Sequence, residues 1–315
     1  MSKRVLAIIA GGLGNQIQMT AAISTLRIRL GWDVETVAGG APVAAAEMRD
    51  WLPGVTHRPA WRPGRDEHFD GAVALGFGGN KMTQDAGWCG ISWLNDISKQ
   101  AVRTERSEVD VSMDACRDLG IAERDLMWHG ELGCNDGYDG YYEAYSEQFD
   151  IVLANNYYRG HKDKPNNQWH VKGFPGFGSV AAGLQKRFPR LSMCCIGYDD
   201  RDAIAGVVDR TGIPLGDTLA LIKRAKVLVT TDSMAFHAAA CFDTRTFALW
   251  TATSAAKNAC PKFHATATLI GREDLECRKT CQTRSQYWTA CKRWECVEIG
   301  IGRIVGEVGD YLEGS

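Results

Sequence analysis

The chain has 315 residues, of which 45% are hydrophobic and 23% charged, so it can bury sizeable cores and its length predicts two domains. A formal net charge of -2 excludes a protein held to nucleic acid by bulk electrostatics, although a local basic groove stays compatible with it. The first apolar run is too short for a signal peptide and no later run could span a bilayer, so we expect a cytoplasmic protein without a transmembrane segment.

The first predicted unit is a strand, a glycine loop and a helix. Residues 4–10 (RVLAIIA) form an apolar run typical of a buried strand, and the loop at 11–14 has little side chain. A helix is predicted to begin near Asn15 and to end at Gly31, after which residues 34–38 begin the next strand. Such a loop brings backbone amides close to a ligand, although GGLGNQ is not the spaced dinucleotide fingerprint.

The second half contains a further buried strand that ends in acidic residues. Residues 191–197 predict this strand, and Asp199 and Asp200 follow it. An acidic residue just past such a strand commonly holds a ribose hydroxyl. Asp217 is predicted to cap a helix over residues 219–225.

The chain is organised around a strand, a polar turn, a helix and a second strand. Residues 227–229 and 246–250 are the strands, and 234–241 is a helix of small residues. If Ser233 is the N-cap, the first amides of this helix are unpaired and partly positive, which suits a phosphate. His237 lies four residues after Ser233 on the same helix face and can reach the same ligand. This pattern predicts a nucleotide diphosphate site.

These residues, TTDSMAFHAAACFDTRTFALWTATS, resemble the donor-site signature of the heptosyltransferase-like glycosyltransferases, glycosyltransferase family 9. The matching positions are Asp232, Ser233, His237, the small residues 238–240 and the threonine-rich loop 251–253. GGLGNQ matches that family moderately, and it also looks like the first loop of GDP-fucose-dependent fucosyltransferases. The resemblance implies an α/β fold of the GT-B type, with two doubly wound Rossmann-like domains facing a cleft and a C-terminal helix crossing back.

The resemblance also implies a domain plan and an activity. The expected domains are an acceptor-binding domain at 1–149 and a nucleotide-sugar-binding domain at 150–298, with a helix at 299–315 packing back on the first domain. The implied enzyme is a glycosyltransferase of the hexosyl- or heptosyltransferase type. It moves a sugar from a nucleotide-diphosphate sugar to the hydroxyl of a glycan or other acceptor, with inversion, and it requires no metal or other cofactor.

The resemblance assigns roles to individual residues. Trp169 and Lys172 belong to an element that closes over the donor diphosphate, and a lysine is a suitable counter-charge there. His237 would donate to the phosphates or the sugar. The remaining candidates for donor binding are Gly12, Gly14, Gly197, Asp199, Asp200, Thr231, Asp232, Ser233, Met234, Ala235 and Thr253.

The general base is an open position. In the family a Gly-Asp pair opens the first helix and its Asp is a candidate base, but the pair here is Gly14-Asn15, and an amide cannot accept the proton. Asn15 would then orient the acceptor while Asp85, Asp96 or Asp136 takes the proton.

Eleven cysteines, an odd number, favour a reducing compartment over a disulfide framework. Four of them cluster near the C-terminal end with spacings close to those of zinc ligands: Cys277, Cys281, Cys291 and Cys296. A structural zinc, two disulfides and four free thiols all fit this spacing.

Two other functions stay open from the sequence. A glycosyltransferase that acts on a hydroxymethylated base in DNA, of the viral type, would need a basic groove, for which Arg58, Arg62 and Arg65 offer a small cluster. A nucleotide-sugar-binding protein without transfer activity would agree with the missing acid at Asn15.

Overall fold

A computed structural model of the chain describes residues 2–39, 56–58, 68–75, 91–96, 106–133, 139–155, 160–161, 164–165, 172–279, 291 and 294–314. The chain divides into two compact units. Unit 1 comprises Met1–Gly140 and Ala259–Ala265, and unit 2 comprises Tyr141–Asn258 and Thr266–Ser315. The division falls after Gly140, whereas the sequence predicts it after residue 149, and the short segment Ala259–Ala265 returns to unit 1.

Unit 1 is built on a four-stranded parallel sheet with the order β3-β2-β1-β4. Its elements are β1 (Arg4–Ala10), α1 (Leu13–Leu30), β2 (Asp33–Gly39), β3 (Thr56–Arg58), β4 (Gly71–Leu75) and α2 (Glu108–Asp118). A 3-10 turn follows at Glu123–Asp125, and α3 (Asp139–Ala144) crosses the division between the units.

The predicted opening unit of strand, loop and helix is confirmed. β1 has the predicted bounds, since the run RVLAIIA buries residues on both faces of a parallel sheet. α1 starts at Leu13, two residues before Asn15, and Gly31 ends it in the left-handed conformation with φ 63°. Helix α1 also packs against α2, where the Cys116 thiol lies 3.7 Å from the carbonyl oxygen of Ala22.

Unit 2 is built on a six-stranded parallel sheet with the order β12-β11-β10-β5-β8-β9. Its strands are β5 (Ile151–Ala154), β8 (Met193–Gly197), β9 (Val208–Thr211), β10 (Val227–Thr231), β11 (Thr246–Trp250) and β12 (Ala267–Gly271). A two-residue antiparallel pair, β6 (Gly160–His161) and β7 (Lys164–Pro165), stands apart from this sheet. Its helices are α4 (Phe177–Arg187), α5 (Leu215–Arg224), α6 (Met234–Cys241), α7 (Ala255–Asn258) and α8 (Ile301–Gly314). Further 3-10 turns lie at Asp200–Asp202, Glu276–Lys279 and Glu295–Val297.

The strand order in unit 2 reverses at β5, which lies between β10 and β8 although it precedes both in sequence. This order is that of a doubly wound sheet, in which ligands bind beyond the carboxyl ends of the strands. The loops after β8 and β10 lie at that edge, and they carry the predicted Asp199 and Asp232.

The C-terminal helix α8 belongs to unit 2, and its packing back on the N-terminal domain stays a prediction. Ile304 and Val308 on α8 are buried in the core of unit 2 with Val180 and Leu184 of α4. Arg187 at the end of α4 adds an ion pair with Asp310 at 2.9 Å. The amphipathic pattern of α8 predicts that one face is buried, but it does not say which core receives that face.

One predicted cap is also wrong. Asp217 lies inside α5 rather than before it, because α5 begins at Leu215 and Pro214 occupies the N-cap position. Proline and the early acidic residue are both favoured at a helix start, and the proline sets the boundary here.

Candidate nucleotide-sugar site

The loop after β10 carries the polar residues that the sequence singles out. Thr231 ends the strand, Asp232 and Ser233 form the turn, and α6 begins at Met234, so both bounds of the predicted helix are confirmed. The Ser233 backbone is extended, with φ -148° and ψ 178°, as an N-cap residue requires.

The Ser233 hydroxyl does not cap α6. It lies 3.2 Å from the Thr230 hydroxyl, which in turn donates to the carbonyl oxygen of Ala154 at 3.0 Å. The amides in the first turn of α6 therefore donate no hydrogen bond to the Ser233 hydroxyl, and the partial positive charge of the helix terminus faces the loop. Ala235 at this turn has no side chain beyond Cβ and is buried.

Asp232 is a buried carboxylate, 3% exposed, and the side chains of Lys172, Asn258 and His237 contact it, the first two from distant parts of the sequence of unit 2. The ammonium group of Lys172 lies 3.1 Å from Oδ2, and the Asn258 amide donates to the same oxygen at 2.6 Å. Nε2 of His237 lies 3.7 Å from Oδ1. We call Asp232, Lys172, His237 and Asn258 the Asp232 cluster.

The environment of Asp232 holds it in the ionised form. Burial has the largest single effect on Asp232 and raises the pKa of its carboxyl group, but the lowering effects of its partners, of which the charge of Lys172 is the largest, together outweigh burial. His237 and the Thr253 hydroxyl act in the same direction, so the pKa of Asp232 lies well below its usual range. The Asp232 cluster therefore contains an ion pair between Asp232 and Lys172. The side chain of Lys172 is only 19% exposed.

Aromatic packing fixes His237 in place. Its ring contacts Phe236 edge-on at a centroid distance of 5.2 Å, and Phe236 contacts Trp250 of β11 at 5.3 Å. The Trp250 indole donates to the carbonyl oxygen of Thr253 at 2.8 Å, which ties the threonine-rich loop to the same aromatic layer. His237 is 4% exposed, so its ring contacts Asp232 rather than solvent.

The loop after β8 is braced by its own acidic residues. A Cβ on Gly197 would lie 2.3 Å from Cβ of Asp202, and the amide of Tyr198 donates to Asp202 Oδ2 at 2.9 Å. Asp199 caps the following 3-10 turn and pairs with Arg201 at 2.6 Å. Asp199 and Asp200 thus lie at the predicted sheet edge, and ribose binding by either residue stays a prediction.

The glycine loop of unit 1 places Asn15 beside a carboxylate that sequence reasoning missed. Gly11 has φ 92°, a conformation that glycine adopts without strain, and a Cβ there would lie 2.8 Å from Cβ of Asn15. A Cβ on Gly12 would meet open space. The Asn15 amide donates to Oε2 of Glu108, the first residue of α2, across 93 positions of sequence. Sequence reasoning also missed Asn258. Neither Glu108 nor Asn258 belongs to a motif or a spacing pattern that would mark it as a site residue.

Of the three carboxylates predicted as candidate bases, the structure describes Asp96. Asp96 is exposed, and its backbone amide donates to Asp118 at 3.0 Å. Asp85, Asp136 and Trp169 lie outside the described residues, as do Arg62 and Arg65 of the basic cluster.

The cysteine cluster is described in part. Cys277, Cys291 and Cys296 are free cysteines, and Cys296 is buried against Ala252, while Cys281 lies outside the described residues. Among the residues that the structure does describe, no group of three or more His, Cys, Asp or Glu side chains is arranged to hold a metal ion. The zinc site stays a prediction. Nor does any described helix have the length and apolarity needed to cross a membrane.

Solved structures share this fold along the whole chain. A glycosyl transferase family 9 protein from Veillonella parvula superposes with a TM-score of 0.68 at 15% identity, covering 100% of this chain and 99% of its own. The ADP-heptose LPS heptosyltransferase II of E. coli gives 0.66 at 16% identity, covering 99% and 100%.

The chain has the GT-B fold of these glycosyltransferases. The predicted fold class is thereby confirmed. A third match is the dodecameric iron-containing heptosyltransferase TibC of enterotoxigenic E. coli, solved in complex with ADP-D-beta-D-heptose. It has a TM-score of 0.65 at 13% identity, and the match covers 99% of this chain and 77% of that one. No protein-family model matches the sequence. No curated protein sequence matches it.

Proposed function

We propose that this chain is a glycosyltransferase that moves a sugar from a nucleotide-diphosphate sugar to an acceptor hydroxyl. The observation that carries the proposal is the uncapped N-terminus of α6 beside the Asp232 cluster, at the carboxyl edge of a doubly wound sheet. Amides at a helix N-terminus and a nearby cation are what a departing diphosphate needs. The GT-B fold, shared with a heptosyltransferase solved with ADP-heptose, supports the same donor class.

In this proposal the diphosphate binds at the first turn of α6 and draws on Lys172. Lys172 lies in a largely buried ion pair with Asp232, so most of the cost of desolvating its ammonium group is already met before a second anion binds there. His237 donates to the phosphates or the sugar. The acceptor hydroxyl attacks the anomeric carbon from the side opposite the diphosphate, which inverts the configuration.

The lysine and the helix amides supply positive charge to the leaving group, so the reaction is proposed to run without a metal ion. Brief exposure to EDTA is then expected to leave turnover unchanged. A requirement for added Mg²⁺ or Mn²⁺ would contradict this part of the proposal and leave the donor site itself standing.

The donor is identified by thermal stabilisation against ADP-, GDP-, UDP- and CDP-sugars, with ADP-heptose in the first set. A ligand at about 100 times its Kd stabilises the folded state by about 2.7 kcal/mol, which raises the melting temperature by several degrees. The proposal predicts that one nucleotide class does so and that its sugar is consumed.

Lys172→Ala is then compared with Lys226→Ala. Lys226 pairs with Asp150 at 2.8 Å at the opposite end of the same strands and is 60% exposed in its side chain. Lys172→Ala is expected to lower turnover by about 100-fold or more, as the loss of a group that stabilises the leaving charge does. Lys226→Ala is expected to stay close to the wild type. Equal turnover in the two variants, or no stabilisation by any donor, would reject the assignment.

A further inference from the structure

The N-terminal turns of α1 and α2 in unit 1 meet around Glu108. The Asn15 amide and the Gln18 amide both donate to Oε2 of Glu108, the second at 3.3 Å. Glu108 is 5% exposed, although a glutamate is seldom buried without a specific reason. This carboxylate lies beside the loop that follows β1, at the carboxyl edge of the parallel sheet, which is the ligand edge in such sheets.

The start of helix α2 and two side-chain amides surround the Glu108 carboxylate. Glu108 is the first residue of α2, where Ser107 caps the helix by accepting from the Asp110 amide at 3.1 Å. The positive end of the helix favours the negative charge, and two of the groups that hold the carboxylate are neutral amides. Hydrogen bonds from amide donors hold a carboxylate in a defined orientation.

A second observation at this loop is a buried side-chain oxygen, that of Gln16, which can accept a further hydrogen bond. Gln16 is fully buried, and its amide donates to the carbonyl oxygen of Gly11 at 3.2 Å. Its side-chain oxygen has no hydrogen-bond partner among the residues that the structure describes. A buried oxygen of this kind normally accepts a hydrogen bond from a hydroxyl or a water molecule. The Gln16 oxygen could therefore accept one from a donor outside the chain.

We infer that Glu108 is the general base that takes the proton of the acceptor hydroxyl, with Asn15 as the positioning residue that orients it. The inference rests on the proposed transfer reaction. As the hydroxyl oxygen forms its bond to the anomeric carbon, the bond from that carbon to the diphosphate oxygen breaks. The diphosphate leaves with the electron pair, and the hydroxyl proton passes to Oε1 or Oε2 of Glu108.

The test exchanges the carboxylate and the amide between positions 108 and 15. Glu108→Gln removes the carboxylate, and the double variant Asn15→Asp/Glu108→Gln restores one with the hydrogen bond reversed. Nucleotide release from the donor identified above, with water as the acceptor, is measured from about pH 5 to about pH 9. Donor affinity is measured by calorimetry in parallel, and Asp114→Asn is the control because Asp114 is a buried carboxylate of α2 that pairs with Arg106 at 2.9 Å.

Glu108→Gln is expected to lower kcat by about 100-fold or more and to remove the rise of kcat with pH, while donor Kd changes less than about twofold. The double variant is expected to regain at least about tenfold over Glu108→Gln, together with a rise of kcat with pH. Asn15→Asp alone places two carboxylates together, so that rise is expected to move to higher pH. Asp114→Asn is expected to lower stability and to leave the pH profile in place.

The inference is overturned if Glu108→Gln keeps kcat within about threefold of the wild type, or if the double variant is no better than Glu108→Gln. It is overturned too if the wild type binds the donor and releases no nucleotide, a result that would leave the donor site intact. Failure of the proposed function looks different, because then no nucleotide-sugar stabilises the wild type at all.

Discussion

Asp232 in unit 2 and Glu108 in unit 1 are buried carboxylates in equivalent places, each beside the start of a helix at the carboxyl edge of a parallel sheet. Asp232 is surrounded by the cation Lys172, by His237 and by the Asn258 amide. Glu108 receives the amides of Asn15 and Gln18. A nearby cation favours the ionised form of a carboxylate, whereas neutral amides orient a carboxylate through hydrogen bonds.

The largest loss of stability is expected when the ion pair between Lys172 and Asp232 is broken. Asp232→Ala leaves Lys172 and His237 without their shared anion, and removal of one partner of a buried pair costs about 3–5 kcal/mol. Urea unfolding measures this loss. Lys226→Ala, which breaks the more exposed pair with Asp150, is expected to cost less than about 1 kcal/mol.

A second double variant separates stability from function at the same place. Lys172→Met/Asp232→Leu replaces the pair with apolar groups and is expected to recover most of the lost stability without recovering donor affinity. If Asp232→Ala unfolds within about 1 kcal/mol of the wild type, the Asp232 cluster does not form as described.

The stability of the protein at low pH also depends on the ionised form of Asp232. The pKa of Asp232 is lowered in the folded chain. Its contribution to the free energy of unfolding is therefore complete above the pKa of an unfolded Asp, about 3.9, and is lost as the pH falls below that value. The stability difference between the wild type and Asp232→Asn is therefore expected to be constant above about pH 5 and to shrink below about pH 4. Circular dichroism melts across this range measure it. A difference that grows on acidification would have the wrong sign.

The glycine loop offers a matched pair in unit 1. Gly11→Ala places a Cβ against Asn15 at φ 92° and is expected to cost about 1–3 kcal/mol. Gly12→Ala meets open space at φ -73° and is expected to stay within about 0.5 kcal/mol in urea unfolding. Equal costs for the two variants would mean that the Asn15 side chain does not lie over Gly11.

The smallest stability effects are expected at two helix starts that differ in their caps. Ser107→Ala removes a true cap and is expected to cost about 1 kcal/mol without changing nucleotide affinity. Ser233→Ala removes only the contact with the Thr230 hydroxyl and is expected to cost about 0.5 kcal/mol, yet to weaken nucleotide-sugar binding several-fold. Calorimetry compares the two affinities. Unchanged binding in Ser233→Ala would remove that hydroxyl from the donor site.

The sequence by itself determined the local units. β1, α6 and β11 have the predicted bounds, because buried parallel strands and small-residue helices leave apolar runs of a recognisable length and period. The position of Asp232, Ser233 and His237 on one turn and one helix followed from the same pattern, since neighbours in sequence are neighbours in a helix.

Only the tertiary structure decided which distant side chains meet. It brought Lys172 and Asn258 to Asp232, joined Asn15 to Glu108 and placed α8 on the core of unit 2. Residues such as Glu108 carry no spacing signal, because the contact depends on how two helices pack on a sheet. Periodicity describes which face of an element is buried, whereas the identity of its partner depends on the packing of the whole unit.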